Sequence, residues 1–114
     1  MLSLVLLAGC LLPPEAPLEH GRLSVSGSQL VGEAGEPVQL RGVSFHGMQW
    51  FPDCLSRSSV EAISADWGAS VVRIASYVEE GGYLTDPVGT LETIEAALDW
   101  TEEAGIYAIV DWHV

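Results

Sequence analysis

Seven side chains able to do chemistry stand at or just past the ends of apolar runs. His46 and Trp50 follow Val43-Ser44-Phe45, Arg73 and Tyr77 lie in and after Val71-Val72-Arg73-Ile74-Ala75, and Asp111, Trp112 and His113 close the run that begins at Ile106. Aromatic faces stack on sugar rings, while imidazole and guanidinium groups hydrogen-bond hydroxyls, so a pocket of Trp, Tyr, two His and an Arg suits a neutral polyhydroxylated ligand. Metal binding is the rival: Asp111 and His113 stand two apart on a strand and share a face, but a complete site needs further ligands. Each residue also has a structural reading. A lone His at a strand end is more often a hydrogen-bonded scaffold residue, Trp50 could be core although Gly47 and Gln49 around it suggest a loop, and Asp111 is expected to accept backbone hydrogen bonds. Arg73 sits in a run otherwise apolar and needs a carboxylate or carbonyl partner if it points inward.

These positions fall on a regular alternation. Between Gly21 and Gly42, Leu23-Ser24-Val25, Gln29-Leu30-Val31 and Pro37-Val38-Gln39-Leu40 read as short strands joined by tight turns. From Val38 the pattern predicts a strand over 38–45, then a helix opened by a Ser58–Glu61 capping box and running through Asp66. A strand at Ala69–Ala75 follows, β-branched and apolar enough to be buried on both faces. Leu91, Ile94, Ala97, Leu98 and Thr101 recur at helical spacing up to Gly105, and 106–112 is the next buried strand. Strand, helix, strand, helix, strand at this spacing is the rhythm of βαβ units, shared by doubly wound sheets and (β/α)8 barrels. No Gly-x-Gly-x-x-Gly or Walker loop follows any strand, which favours the barrel. In a barrel, ligand sites gather at the carboxyl ends of the strands, where the polar residues here stand.

With 114 residues, 48% of them hydrophobic, the chain is the size of one domain or part of one. Four Lys+Arg against 16 Asp+Glu give a formal charge of -12, which disfavours binding to nucleic acid or anionic lipid by charge. Residues 1–12 are apolar, uncharged and too short to span a bilayer. They read as the remnant of an export signal, and Leu7-Ala8-Gly9-Cys10 is similar to a bacterial lipoprotein cleavage box in which Cys10 becomes the lipidated first residue. A start placed too late or a chance match are the alternatives, since no Lys or Arg precedes the apolar run. The expectation is an exported protein, extracellular or a cell-envelope lipoprotein anchored to the membrane. Residues 13–20, with Pro13, Pro14 and Pro17, form an extended tether, and the folded domain spans 21–114. Cys54 is then unpaired, a small apolar residue near a loop, and no disulfide framework or cysteine metal site is available.

Gly21-Arg22-Leu23, Pro37 to Ser44, His46-Gly47-Met48-Gln49-Trp50, Asp66-Trp67-Gly68, Val72-Arg73, Glu80-Gly81-Gly82-Tyr83, Gly105-Ile106-Tyr107 and Asp111-Trp112-His113 occur in an order that resembles the opening third of a glycoside hydrolase family 5 endoglucanase. The resemblance implies a (β/α)8 barrel, here incomplete, that cuts β-1,4-glucan with retention of configuration, one Glu serving as acid/base and another as nucleophile about 5 Å away. It implies that Arg73 hydrogen-bonds the nucleophile and helps keep it ionised. His46 and His113 would line the subsite where the bond is cut, and Trp50 and Tyr77 would contact the neighbouring glucose unit. Both catalytic glutamates of the family lie after its third strand, so neither is present and the chain is expected to be an inactive amino-terminal piece. By itself it should be unstable and aggregation-prone, because its sheet is unclosed. The parent is expected to be a monomer that takes a β-glucan polysaccharide and needs no cofactor and no metal. Two other readings stay open: a carbohydrate-binding barrel without catalytic carboxylates, and a metal-dependent barrel hydrolase using Asp111 and His113.

Overall fold

The computed structural model describes residues 18–114. The leader with Cys10 and most of the proline tether lie outside the described residues. Two short strands, β1 (Ser24–Ser26) and β2 (Gln29–Val31), pair antiparallel with Ser24 opposite Val31. The piece expected as a third short strand is not one: Pro37 makes a single bridge to Val31, and Val38 N–H donates to Leu30 O at 2.9 Å. That bond holds Val38 to the hairpin. The next strand, β3 (Gly42–Phe45), is therefore shorter than the expected 38–45 and begins only where Gly42 meets Val71 of the central strand. A Cβ on Gly42 would lie 1.6 Å from Val71 O, so only glycine lets the two backbones approach there.

Helix α1 (Arg57–Ala65) follows a single 3-10 turn at Pro52–Cys54. The Ser58–Glu61 capping box does not form. Ser56 is the cap: its backbone is extended, and its hydroxyl accepts from Ser59 N–H at 3.3 Å and contacts the Ser58 and Ser59 hydroxyls. In a run of serines, the one still extended ahead of the first helical residue takes the cap. Cys54 is free and exposed rather than packed.

Strand β4 (Val71–Tyr77) is the centre of a three-stranded parallel sheet of order β3-β4-β5, with β5 at Tyr107–His113. Between them runs α2 (Pro87–Glu103), with Asp86 as its cap, accepting from Gly89 N–H at 3.0 Å, and Pro87 in the first turn. One sheet face packs on the helices. Val72 lies in a cluster with Val60 and Ile63 of α1 and with Ile106, and Ile74 in a cluster with Met48, Leu55, Ile94 and Ala97. Of the expected α2 stripe, Ile94, Ala97 and Thr101 are buried, whereas Leu91 and Leu98 are exposed at one side of the arc. At about 100° per residue these two stand off the line that meets the sheet.

The largest departure is β5, expected as buried as β4. Ile109, Val110 and Trp112 are 50%, 44% and 52% exposed, because no strand among the described residues pairs with its outer edge. At its start, Tyr107 Oη donates to Gly21 O at 2.7 Å and ties the amino-terminal turn to the sheet. No helix among the described residues is long and apolar enough to cross a membrane.

Candidate active site

Parallel register fixes which side chains meet. Ser44 pairs with Arg73, Ala75 with Asp111 and Tyr77 with His113. Alternation then puts Ser44, Arg73, Tyr77, Asp111 and His113 on the face away from the helices, since Val43, Phe45, Val72 and Ile74 take the other. Successive strands thus bring polar groups separated by up to 40 residues within hydrogen-bond reach.

At the centre is Arg73. Its Nη1 donates to Ser44 Oγ at 2.8 Å and its Nη2 donates to Asp111 Oδ2. The carboxylate partner required by an inward Arg is therefore Asp111. Asp111 does not serve the backbone, as expected from sequence, but binds two side chains: His113 Nδ1 lies 2.8 Å from the same Oδ2. The Arg73 and Asp111 side chains are 35% and 28% exposed, so the ion pair opens onto solvent at the strand ends instead of being sealed in a core. The Asp111 oxygen and His113 Nδ1 are turned on each other. Among the described residues no three His, Cys, Asp or Glu side chains gather as ligands.

Around Arg73 stands an aromatic wall. The Tyr77 ring lies 4.7 Å from Trp50, 4.4 Å from His113 and 6.3 Å from His46, the last pair parallel to within 1°. His46 is 5.2 Å from Trp50 and meets Phe51 edge-on at 5.4 Å. The loop after β3 reaches Tyr77 because Gly47 has no side chain, a Cβ there lying 3.0 Å from the ring. Gly47 N–H also donates to His46 Nδ1 at 2.7 Å and fixes the imidazole. Trp50 is in a loop and 43% exposed, as its neighbours suggested, and not in the core. The loop after β4 folds back on its strand, Tyr83 N–H donating to Tyr77 O at 2.8 Å.

Of the residues singled out from sequence in this region, His46, Trp50, Arg73, Tyr77, Asp111 and His113 meet on one face. Trp112 does not: it points to the opposite face and packs edge-on against Tyr83 at 4.8 Å. Sequence reading missed Ser44 as a partner of Arg73 and Phe51 as a partner of His46. The signal for Ser44 was available in register, as it stands level with Arg73 once the strands are taken as parallel.

Parallel strands joined by helices, with aromatic, imidazole and guanidinium groups gathered on one face and in the loop after β3, define a segment of a (β/α)8 barrel. Residues 31–114 match the family model described as cellulase, glycosyl hydrolase family 5. The chain belongs to that family. It is similar to endoglucanase E-5 of Thermobifida fusca, 46% identical over 99 residues, a match covering 86% of this chain and 21% of that one. With endoglucanase MaCel5A of a Microbulbifer species it shares 42% identity over 96 residues, 82% of this chain and 19% of the relative. The crystal structure of the Thermobifida fusca Cel5A catalytic domain superposes with a TM-score of 0.81 at 45% identity, covering 83% of this chain and 31% of that domain. A variant of that domain has been solved in complex with cellotetraose. The chain thus spans about a fifth of the curated relatives it matches.

Proposed function

We propose that this chain is the opening part of the catalytic barrel of a retaining endo-β-1,4-glucanase acting in polysaccharide degradation, and that it supplies the wall on which the glucan lies. The observation that carries the reading is Arg73 held by Ser44 and Asp111 beside the Trp50–Tyr77–His46 wall. A glucose ring offers an apolar face to the aromatics and hydroxyls to the imidazoles. Arg73 keeps an Nε–H without a partner among the described residues, available to a carboxylate brought from a later strand. A cation there favours the ionised form of that carboxylate, which covalent attack on the sugar requires. In this reading the acid/base and nucleophile glutamates both come from strands beyond β5, so the chain alone makes no reactive pair. The family assignment and the cellotetraose complex of a relative support a β-glucan ligand.

The test is a complete barrel in which residues 21–114 replace the matching segment of the Thermobifida fusca catalytic domain. Release of reducing ends from a soluble β-1,4-glucan by this chimera, and none by the 114-residue chain, is the expected result. A folded chimera that binds cellotetraose without cutting would favour a binding role, and one that does neither would sink the proposal. Export with lipidation at Cys10 belongs to the same proposal, supported by Leu7-Ala8-Gly9-Cys10 in an apolar leader. Labelling with radioactive palmitate in a bacterial host, lost in Cys10→Ser, would bear it out.

A further inference from the structure

We propose that Asp111 is a positioning residue that sets the proton on His113, so that the two histidines of the wall face the ligand with opposite hydrogen-bonding polarity. For its catalytic consequence the inference rests on the glucanase reading; for the placement of the protons it does not.

Three atoms decide the point. Asp111 Oδ2 lies 2.8 Å from His113 Nδ1 and also accepts from Arg73 Nη2, while Nη2 and Nδ1 are 3.2 Å apart. A guanidinium has only donors, so Nη2 must donate. An unprotonated Nδ1 could accept the second Nη2 proton at 3.2 Å, but it would still set its lone pair 2.8 Å from a carboxylate oxygen, two acceptors closer than their van der Waals contact. With the proton on Nδ1, Oδ2 accepts from both neighbours, and the approach of Nη2 to Nδ1 is that of two donors sharing one acceptor. With that one proton placed, the ring presents Nε2 as a bare acceptor. His46 is fixed the other way. The backbone N–H of Gly47 can only donate, and it meets Nδ1 at 2.7 Å, so the ring proton sits on Nε2, a donor.

The two imidazoles flank Tyr77, at 6.3 Å and 4.4 Å between ring centres. A ligand across this wall must therefore donate a hydroxyl proton to His113 and offer a lone pair to His46. Hydroxyls can do either, but a deoxy or methylated position cannot donate. Asp111 thus acts through His113 and Arg73 without touching the ligand, and its loss frees His113 to take the tautomer that donates from Nε2.

The experiment uses the same chimeric barrel with histidine labelled in 15N, read by long-range proton–nitrogen correlation. His113 is expected to show a protonated Nδ1 and a bare Nε2, and His46 the reverse. In Asp111→Ala, His113 is expected to shift to the Nε2-protonated form, with kcat/KM lower by about 10- to 100-fold, the range for loss of a group that orients a functional histidine. A His113 protonated on Nε2 alone, or on both nitrogens, in the unsubstituted chimera would overturn the inference whether or not the Asp111 variant folds. So would a tautomer unchanged in Asp111→Ala. An inactive chimera with the expected proton pattern would count against the glucanase reading and leave the role of Asp111 standing.

Discussion

The two faces of β4 are built from alternate residues of one seven-residue strand, yet they answer different demands. Val72, Ile74 and Ser76 are fully buried toward the helices. Arg73 and Tyr77, one residue away in each case, point to the opposite side and carry the polar and aromatic site. Val72 and Ile74 have defined apolar neighbours there, so that face sets stability; the other face holds an ion pair open to solvent, which contributes little to stability but places charge where a reaction can use it. A period of two lets one strand do both, and a one-residue slip in register would exchange them.

Substitutions in the chimeric barrel should separate the faces, and the largest effect is expected at Arg73. Arg73→Ala should lower kcat/KM by roughly 10²- to 10³-fold, as removal of a preorganised charge-stabilising donor does, while the urea midpoint barely moves. A fall in stability matching that of a core variant would break the division. Ile74→Ala should do the converse, costing about 3 kcal/mol in urea unfolding through the cavity it leaves, with kcat of the folded fraction unchanged. Trp50→Ala should raise KM about tenfold, or about 1.4 kcal/mol, with a much smaller change in kcat, because ring stacking holds substrate and transition state alike. If kcat fell and KM held, Trp50 would belong to the reacting centre and the wall would need redrawing. Smallest is Ser56→Ala, remote from either face, which should lower stability by about 1 kcal/mol through the lost cap; kinetics indistinguishable from the parent chimera are expected.

What sequence could and could not reveal follows the same division. The site was legible because strand ends in a βα unit are marked by the switch from β-branched residues to Trp, His and Arg, and because Arg73 in an apolar run demands a partner. The identity of that partner was not, since Asp111 stands 38 residues away and is reached only through the sheet register. Likewise β4 and β5 read alike as apolar strands, but burial is conferred by neighbours: among the described residues β4 has one on each side, and β5 has one only. Leu91 and Leu98 were taken into the α2 stripe because periodicity gives an arc and not the width of surface waiting to cover it. The cap of α1 was misplaced by two residues because Ser56, Ser58 and Ser59 are all suitable by type, and backbone angle alone chooses among them.

The bond from Tyr107 to Gly21 spans 86 residues, and it sets a schedule. On a ribosome the hairpin emerges well before the tyrosine that fastens it. At 5–20 residues per second the hairpin waits roughly 4 to 17 s for its anchor. Until then it has only its own few backbone bonds and those to the neighbouring turn and Val38, too few to hold a two-stranded ribbon in water. The hairpin is thus made early and settles late, and slowing translation between the two positions would lengthen the interval in which a chaperone or protease finds it loose.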